Sequence, residues 1–283
     1  MWSPAGDWIA ATRCPLQQFE PSCLGNEEPI LVDPVSGDIH VVDFQPLTAN
    51  YVNGYPISWS TAGNLLLIYV EVSPSQGPAP LSERESSYFA YSPMDGGFEL
   101  VYSEVGTIFG WNDLDDSILL LRADQEGALE VGWYHYLTGE FRREFIYDDS
   151  DKLGGPHLLS PDATTLIRGN SMSPTSCIDL ETYELGRSAG FEPILTMACY
   201  PAWASSGARI AYAKKDQPRG EPNQLMIANS DGTDSRPLFG EQIVAFLASP
   251  TWSPDGSKIA FTKGWQENAN GIYVAEVPTE LRP

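Results

Sequence analysis

Positive charge is scarce in this chain: 16 Lys plus Arg stand against 38 Asp plus Glu, a formal net charge of −22 over 283 residues. Such a surface repels phosphate backbones, and no basic stripe gathers beyond pairs such as Arg142–Arg143 and Lys214–Lys215, so nucleic acid is not an expected partner. An anionic membrane surface is disfavoured for the same reason. Long hydrophobic runs are also lacking. The longest is Leu65–Val70, far short of the ~20 residues a helix needs to cross a bilayer, so no membrane insertion is expected.

Histidine occurs three times, at His40, His135 and His157, far apart in the chain. No Gly-x-Ser-x-Gly elbow is present, which removes the usual serine-hydrolase nucleophile. The four cysteines never take a C-x-x-C spacing, which argues against a tetrahedral metal cluster or a thioredoxin-like motif. The acidic runs Asn112–Ser117 and Tyr147–Lys152 lack the alternate spacing of a calcium loop. No metal, no cofactor and no catalytic residue is therefore expected, and no stretch carries a helical period.

What the chain does have is a phrase that returns. "WSPAGDWIAAT" near the start and "WSPDGSKIAFT" near the end are two of six copies, the others being "WSTAGNLLLIYV", "WNDLDDSILLLRA", "LSPDATTLIRG" and "WASSGARIAYA". Their anchors, Trp2, Trp59, Trp111, Leu159, Trp203 and Trp252, lie 44 to 57 residues apart. That period is the length of a propeller blade. Within a copy, proline supplies a φ near −65° and glycine a positive φ, so Ser-Pro-Asp-Gly is a tight reversal. An alternating segment such as Lys258–Thr262 or Arg209–Ala213 follows as a strand.

A second hairpin follows in most units, over Ile30–Phe44, Ser87–Glu104, Trp133–Tyr147 and Gln224–Phe239. Each unit is then four antiparallel strands, a to d from the axis outward. One such sheet has two apolar faces it cannot bury alone, whereas sheets arranged radially cover one another. The expected fold is all-β: a six-bladed β-propeller of four-stranded antiparallel blades beginning near residues 2, 55, 107, 156, 199 and 249, one domain over 1–283. It is expected to be incomplete at the termini, since Met1 falls at the end of a first strand and only Pro278–Pro283 follow the strand Gly271–Val277. A β-sandwich with coincidental Trp-Ser pairs is the alternative.

The segments "WSPDGSKIAF" and "WSPAGDWIAA", with "IYVAE" after the last copy, resemble the TolB-type propeller repeat, found also in the propeller domains of prolyl-oligopeptidase-like peptidases. The resemblance covers essentially the whole chain. Departures fall in the third and fourth copies, "WNDLDD" and "LSPDAT". It implies a fold rather than one activity, because this repeat hosts receptors, scaffolds and enzyme lids alike.

Cys14 and Cys23 fall in the b-to-c loop of the first blade, Cys177 opens strand c of the fourth and Cys199 precedes strand a of the fifth. All four then share one face, and two bridges, Cys14–Cys23 and Cys177–Cys199, are expected, with an oxidising, extracytoplasmic home. Four free thiols packed as small hydrophobes are the alternative. On the same face, Tyr55, His157 and Tyr200 lie near the starts of strands a, at the mouth of an axial channel where they contact a ligand or cap the core. The long b-to-c loops, Val72–Ser87, Lys214–Asn223 and Lys263–Gly271, suit binding, with Trp265 as a candidate anchor.

The reading is a non-catalytic binding or scaffolding propeller that engages a protein or an extracellular ligand through this face. The alternatives are a propeller hydrolase or lyase with a channel metal, or the substrate-gating propeller of a prolyl-oligopeptidase-like enzyme. The strand-a segments "YPISWS", "TIFGWN", "PHLLS", "YPAWA" and "SPTWS" carry no Asp or Glu, which counts against a channel metal.

Overall fold

A computed structural model describes residues 1–13, 28–44, 52–60, 64–72, 85–104, 106–112, 116–147, 157–169, 178–187, 190–215, 223–239, 246–265 and 268–283. Among them the secondary structure is strand throughout, apart from one 3-10 turn at Thr279–Leu281. The first sheet holds β1 (Ile9–Arg13), β2 (Glu28–Val32) and β3 (Ile39–Val41) in that order. The second holds β4 (Val52–Trp59), β5 (Leu66–Val72), β6 (Glu85–Tyr91) and β7 (Phe98–Tyr102). The third is built from β8 (Gly106–Asn112), β9 (Ser117–Ala123), β10 (Leu129–His135) and β11 (Glu140–Ile146).

A seven-stranded sheet follows: β12 (His157–Leu159), β13 (Thr165–Gly169), β14 (Ile178–Glu184), β15 (Glu192–Trp203), β16 (Arg209–Lys214), β17 (Gln224–Asn229) and β18 (Arg236–Pro237). The last sheet has three strands, β19 (Phe246–Trp252), β20 (Lys258–Trp265) and β21 (Asn268–Glu276). The sequence places a boundary between units near residue 199, and the backbone crosses it without a break. The first half of β15 pairs with β14 through Ala198, and its second half pairs with β16 from Ala198 to Trp203. Met197 (φ 56°) and Tyr200 (φ 52°) bend this long strand so that it serves both neighbours.

The repeated phrase is a repeated register. The anchors pair with the following strand as Trp2↔Ile9, Trp59↔Leu66, Trp111↔Ile118, Leu159↔Leu166, Trp203↔Ile210 and Trp252↔Ile259. In the reversal after Trp252, Gly256 takes a φ of 68° and its amide donates to the Ser253 carbonyl. Hydrogen bonds from Ser253 and Ser257 hold the Asp255 carboxyl down at about 2. In the two departing copies the left-handed turn residue is not glycine but Ala163 (φ 56°) or Asp116 (φ 52°), which explains why the consensus fades there while the turn survives.

Contacts divide the described chain into two compact units, Met1–Ala123 with Gly132–Arg142, and Asp124–Val131 with Arg143–Pro283. In the first unit, alternate residues of β5 enter different cores. Leu66 and Ile68 join Ala10 and Leu31, whereas Leu67 joins Ile118 and Leu120. In the second unit Ile210 and Tyr212 of β16 pack with Ile167 and Leu180, while Ala211 packs with Trp252, Ile259 and Phe261. A strand covered on both faces is apolar without alternation, as "LLLIYV" reads, and each fully buried Leu or Ile contributes about 1.5–3 kcal/mol.

Candidate functional site

Tyr55 lies on β4 and stacks on Tyr69 of β5, ring centroids 4.8 Å apart, in a cross-strand row that continues through Tyr88 and Tyr102. The Tyr88 hydroxyl donates to the Gly106 carbonyl at 3.0 Å, and burial pushes the phenols of Tyr88 and Tyr102 up to about 12. Tyr55 is thus one end of a packed tyrosine row. Tyr200 sits in the β15 bulge between Cys199 and Ala202, packed beside Cys199 and Ala213. Trp265 ends β20, paired with Asn268, and its side chain is outside the described residues, as are Cys14, Cys23 and Cys177. Cys199 is disulfide-bonded.

His157 leads to the most distinctive cluster. In the seven-stranded sheet His157, Arg168 and Glu181 stand opposite one another on β12, β13 and β14. Arg168 is 6% exposed, and its Nε and Nη2 both reach Glu181 Oε2 at 2.8 Å. The guanidinium also lies over two rings, 3.5 Å from the centre of Phe191 and 5.5 Å from that of Tyr147. Tyr147 meets His157 Nε2 through its hydroxyl at 3.1 Å. Tyr183, two residues beyond Glu181 and so on the same face of β14, stacks at 4.3 Å on Phe145 of β11 and at 5.2 Å on Phe191.

These rings and Arg168 line a pocket of about 540 Å³ within the second unit, with Glu144, Arg187, Gly186 and Gly190 along its edge. Arg187 is held to Glu184 at 2.7 Å, and its carbonyl accepts the Tyr183 hydroxyl at 2.8 Å. Burial, and after it the neighbouring Glu144 carboxylate, raise the Tyr183 phenol above its ordinary value. The arrangement presents fixed ring faces around a desolvated, ion-paired guanidinium, and its volume falls in the range of small-ligand pockets, about 300–1,000 Å³. Among the described residues no three or more His, Cys, Asp or Glu side chains gather as metal ligands.

Of the residues singled out from sequence, the structure brings His157 to this cluster, behind Tyr147. Arg168, Glu181, Phe145, Tyr183 and Phe191 were missed. One signal was legible: two positions after each anchor's partner, the copies carry Ala11, Ile68, Leu120, Arg168, Tyr212 and Phe261, so a charge stands where the other five copies carry apolar or aromatic side chains.

No known family's sequence profile matches the chain. Over 74 residues, 26% of this chain, it is 34% identical to the Tol-Pal system protein TolB of Nitrosomonas europaea, and the match spans only 16% of that protein. Among solved structures, TolB from Acinetobacter baumannii superposes with a TM-score of 0.60 at 13% identity, over 99% of this chain and 63% of that one. The β-propeller domain of the Trilobed protease from Pyrococcus furiosus gives 0.52 at 13% identity, over 95% and 79%. The fold is a β-propeller of antiparallel sheets.

Proposed function

We propose that the chain is a non-catalytic binding propeller with one domain over 1–283 and six blades, which engages a protein partner in an extracytoplasmic compartment. The observation that carries this reading is the make-up of the pocket: rings and a charge-paired guanidinium recognise by contact, and the nearby imidazole of His157 meets the Tyr147 phenol that forms part of the lining. The six shared anchor registers support the blade count, with β15 closing one blade and opening the next. The name of the Nitrosomonas relative, a Tol-Pal system protein, supports a protein as partner.

The disulfide at Cys199 supports an oxidising compartment. Its proposed partner is Cys177, since Ile178 stands opposite Ala198 and an antiparallel ladder continued by one step pairs 177 with 199. Cys14–Cys23 is the second proposed bridge. Contact through the b-to-c loops, with Trp265 as anchor, also stays part of the proposal.

The test has three arms. A photo-crosslinking residue in place of Ile146, which lines the pocket and is exposed, is expected to give one discrete protein adduct. Steady turnover of a peptide, lactone or polyuronate by the purified chain, with or without added divalent metal, would overturn the assignment. Alkylation without reductant is expected to leave the mass unchanged, and four alkylations would remove both bridges.

A further inference from the structure

The position that Arg168 occupies is the starting point. Ile68, Leu120, Tyr212 and Phe261 hold the equivalent place in four other copies, all 6% exposed or less, and the partners across from Ile68 and Tyr212 are Phe89 and Met226. Here the pair is Arg168 with Glu181. A buried ion pair of this kind stabilises a fold no better than apolar residues of similar size, because desolvation offsets the attraction. A repeat that departs from its own rule at one copy, beside the pocket, marks a site rather than a packing need.

Resting on the binding reading above, we propose that the pocket receives an aromatic side chain of an extended polypeptide, carried next to Lys or Arg, and that Arg168 is a positioning residue for its walls. The guanidiniums of the lining are each paired with a carboxylate of the same sheet, Arg168 with Glu181 and the exposed Arg187 with Glu184, so the rings supply the apolar surface offered to a visitor. Phe145, Tyr183 and Phe191 lie at mutual tilts of 37° to 77°, with centroids 4.3 to 6.1 Å apart, so they pack on one another as a single aromatic wall against which a further ring can lie offset or edge-on. Arg168 clamps two of the walls by lying against Phe191 and Tyr147. Glu144 at the edge and the net charge of −22 favour cationic flanks on the incoming ring.

The probe is the capped peptide acetyl-Lys-Trp-Lys-amide, titrated by calorimetry and by ligand-observed NMR against the intact 283-residue protein. Gly190 lines the pocket, and a Cβ built there meets nothing within 4 Å, so the backbone accepts a side chain at this position and Gly190→Leu is the variant designed to occlude the pocket. We expect the wild type to bind, Gly190→Leu to weaken binding at least about tenfold, and Phe191→Ala to weaken it about tenfold. The double variant Arg168→Met/Glu181→Leu is expected to keep its thermal midpoint and lose affinity about fivefold, which separates a positioning role from a structural one.

Equal binding of acetyl-Lys-Ala-Lys-amide, indifference to Gly190→Leu, tighter binding of a methyl glycoside than of the peptide, or no peptide binding would each overturn the inference. If a crosslinked protein partner persists when Gly190→Leu has closed the pocket, the binding propeller stands and only this site falls.

Discussion

Two rows of side chains cross two of the sheets, and they solve burial in opposite ways. In the second sheet Tyr55, Tyr69, Tyr88 and Tyr102 pack ring against ring across four strands, each adding ring area and only a phenol tip to accommodate. In the seven-stranded sheet His157, Arg168 and Glu181 cross three strands, and two of them bring full charges inside. The tyrosine row tolerates loss of any one polar tip, since the hydrophobic area remains. The ionic row does not, because each charge depends on the other. A row that is fragile, and that the other copies do without, points to a use beyond packing, and the pocket lies directly against it.

The largest difference between the rows is expected from truncation. Arg168→Ala takes the guanidinium away from the Glu181 carboxylate, which is only 13% exposed, and is expected to lose about 3–5 kcal/mol in urea unfolding. Loss of under about 1 kcal/mol would show that the pair is solvated and that the contrast fails. Next in size is the response to alkali. The phenols of Tyr88 and Tyr102 titrate at about 12 when folded against an ordinary 10, so the folded state prefers them neutral. Their stabilisation is complete below pH 10 and drains away as the pH rises toward 12. Absorbance at 295 nm should therefore show late-titrating tyrosines, with unfolding over that window.

A smaller effect is expected at Tyr88→Phe, which removes the donor to the Gly106 carbonyl and should cost about 1 kcal/mol, several times less than Arg168→Ala. The smallest concerns the turn that opens β13. Ala163 holds a φ of 56° that glycine adopts without steric penalty, so Ala163→Gly is expected to gain about 0.5–1 kcal/mol, read as a raised thermal midpoint. A lowered midpoint would mean that the turn relaxes in solution.

The strands and reversals were legible because Trp-Ser-Pro-x-Gly encodes the turn and the apolar run after it encodes a strand buried on both faces. The continuity of β15 was not, since its bends rest on positive φ values at Met197 and Tyr200, residues whose side chains do not announce them. The pocket was half legible. Arg168 breaks the apolar rule of its copy in plain view, within "TLIRG", but the break reads as degeneracy until Glu181 is known to stand opposite. Phe145, Tyr183 and Phe191 come from a strand of one sheet, a strand of the next and the approach to β15, and only packing brings them together.

The most direct measurement is the unfolding free energy of Arg168→Met/Glu181→Leu beside the wild type in urea at neutral pH. If the ion pair serves the pocket, the double variant will be as stable as the wild type or more so, with an unchanged m-value. A loss of about 3 kcal/mol or more would show that the pair holds the sheet itself and would contradict the account.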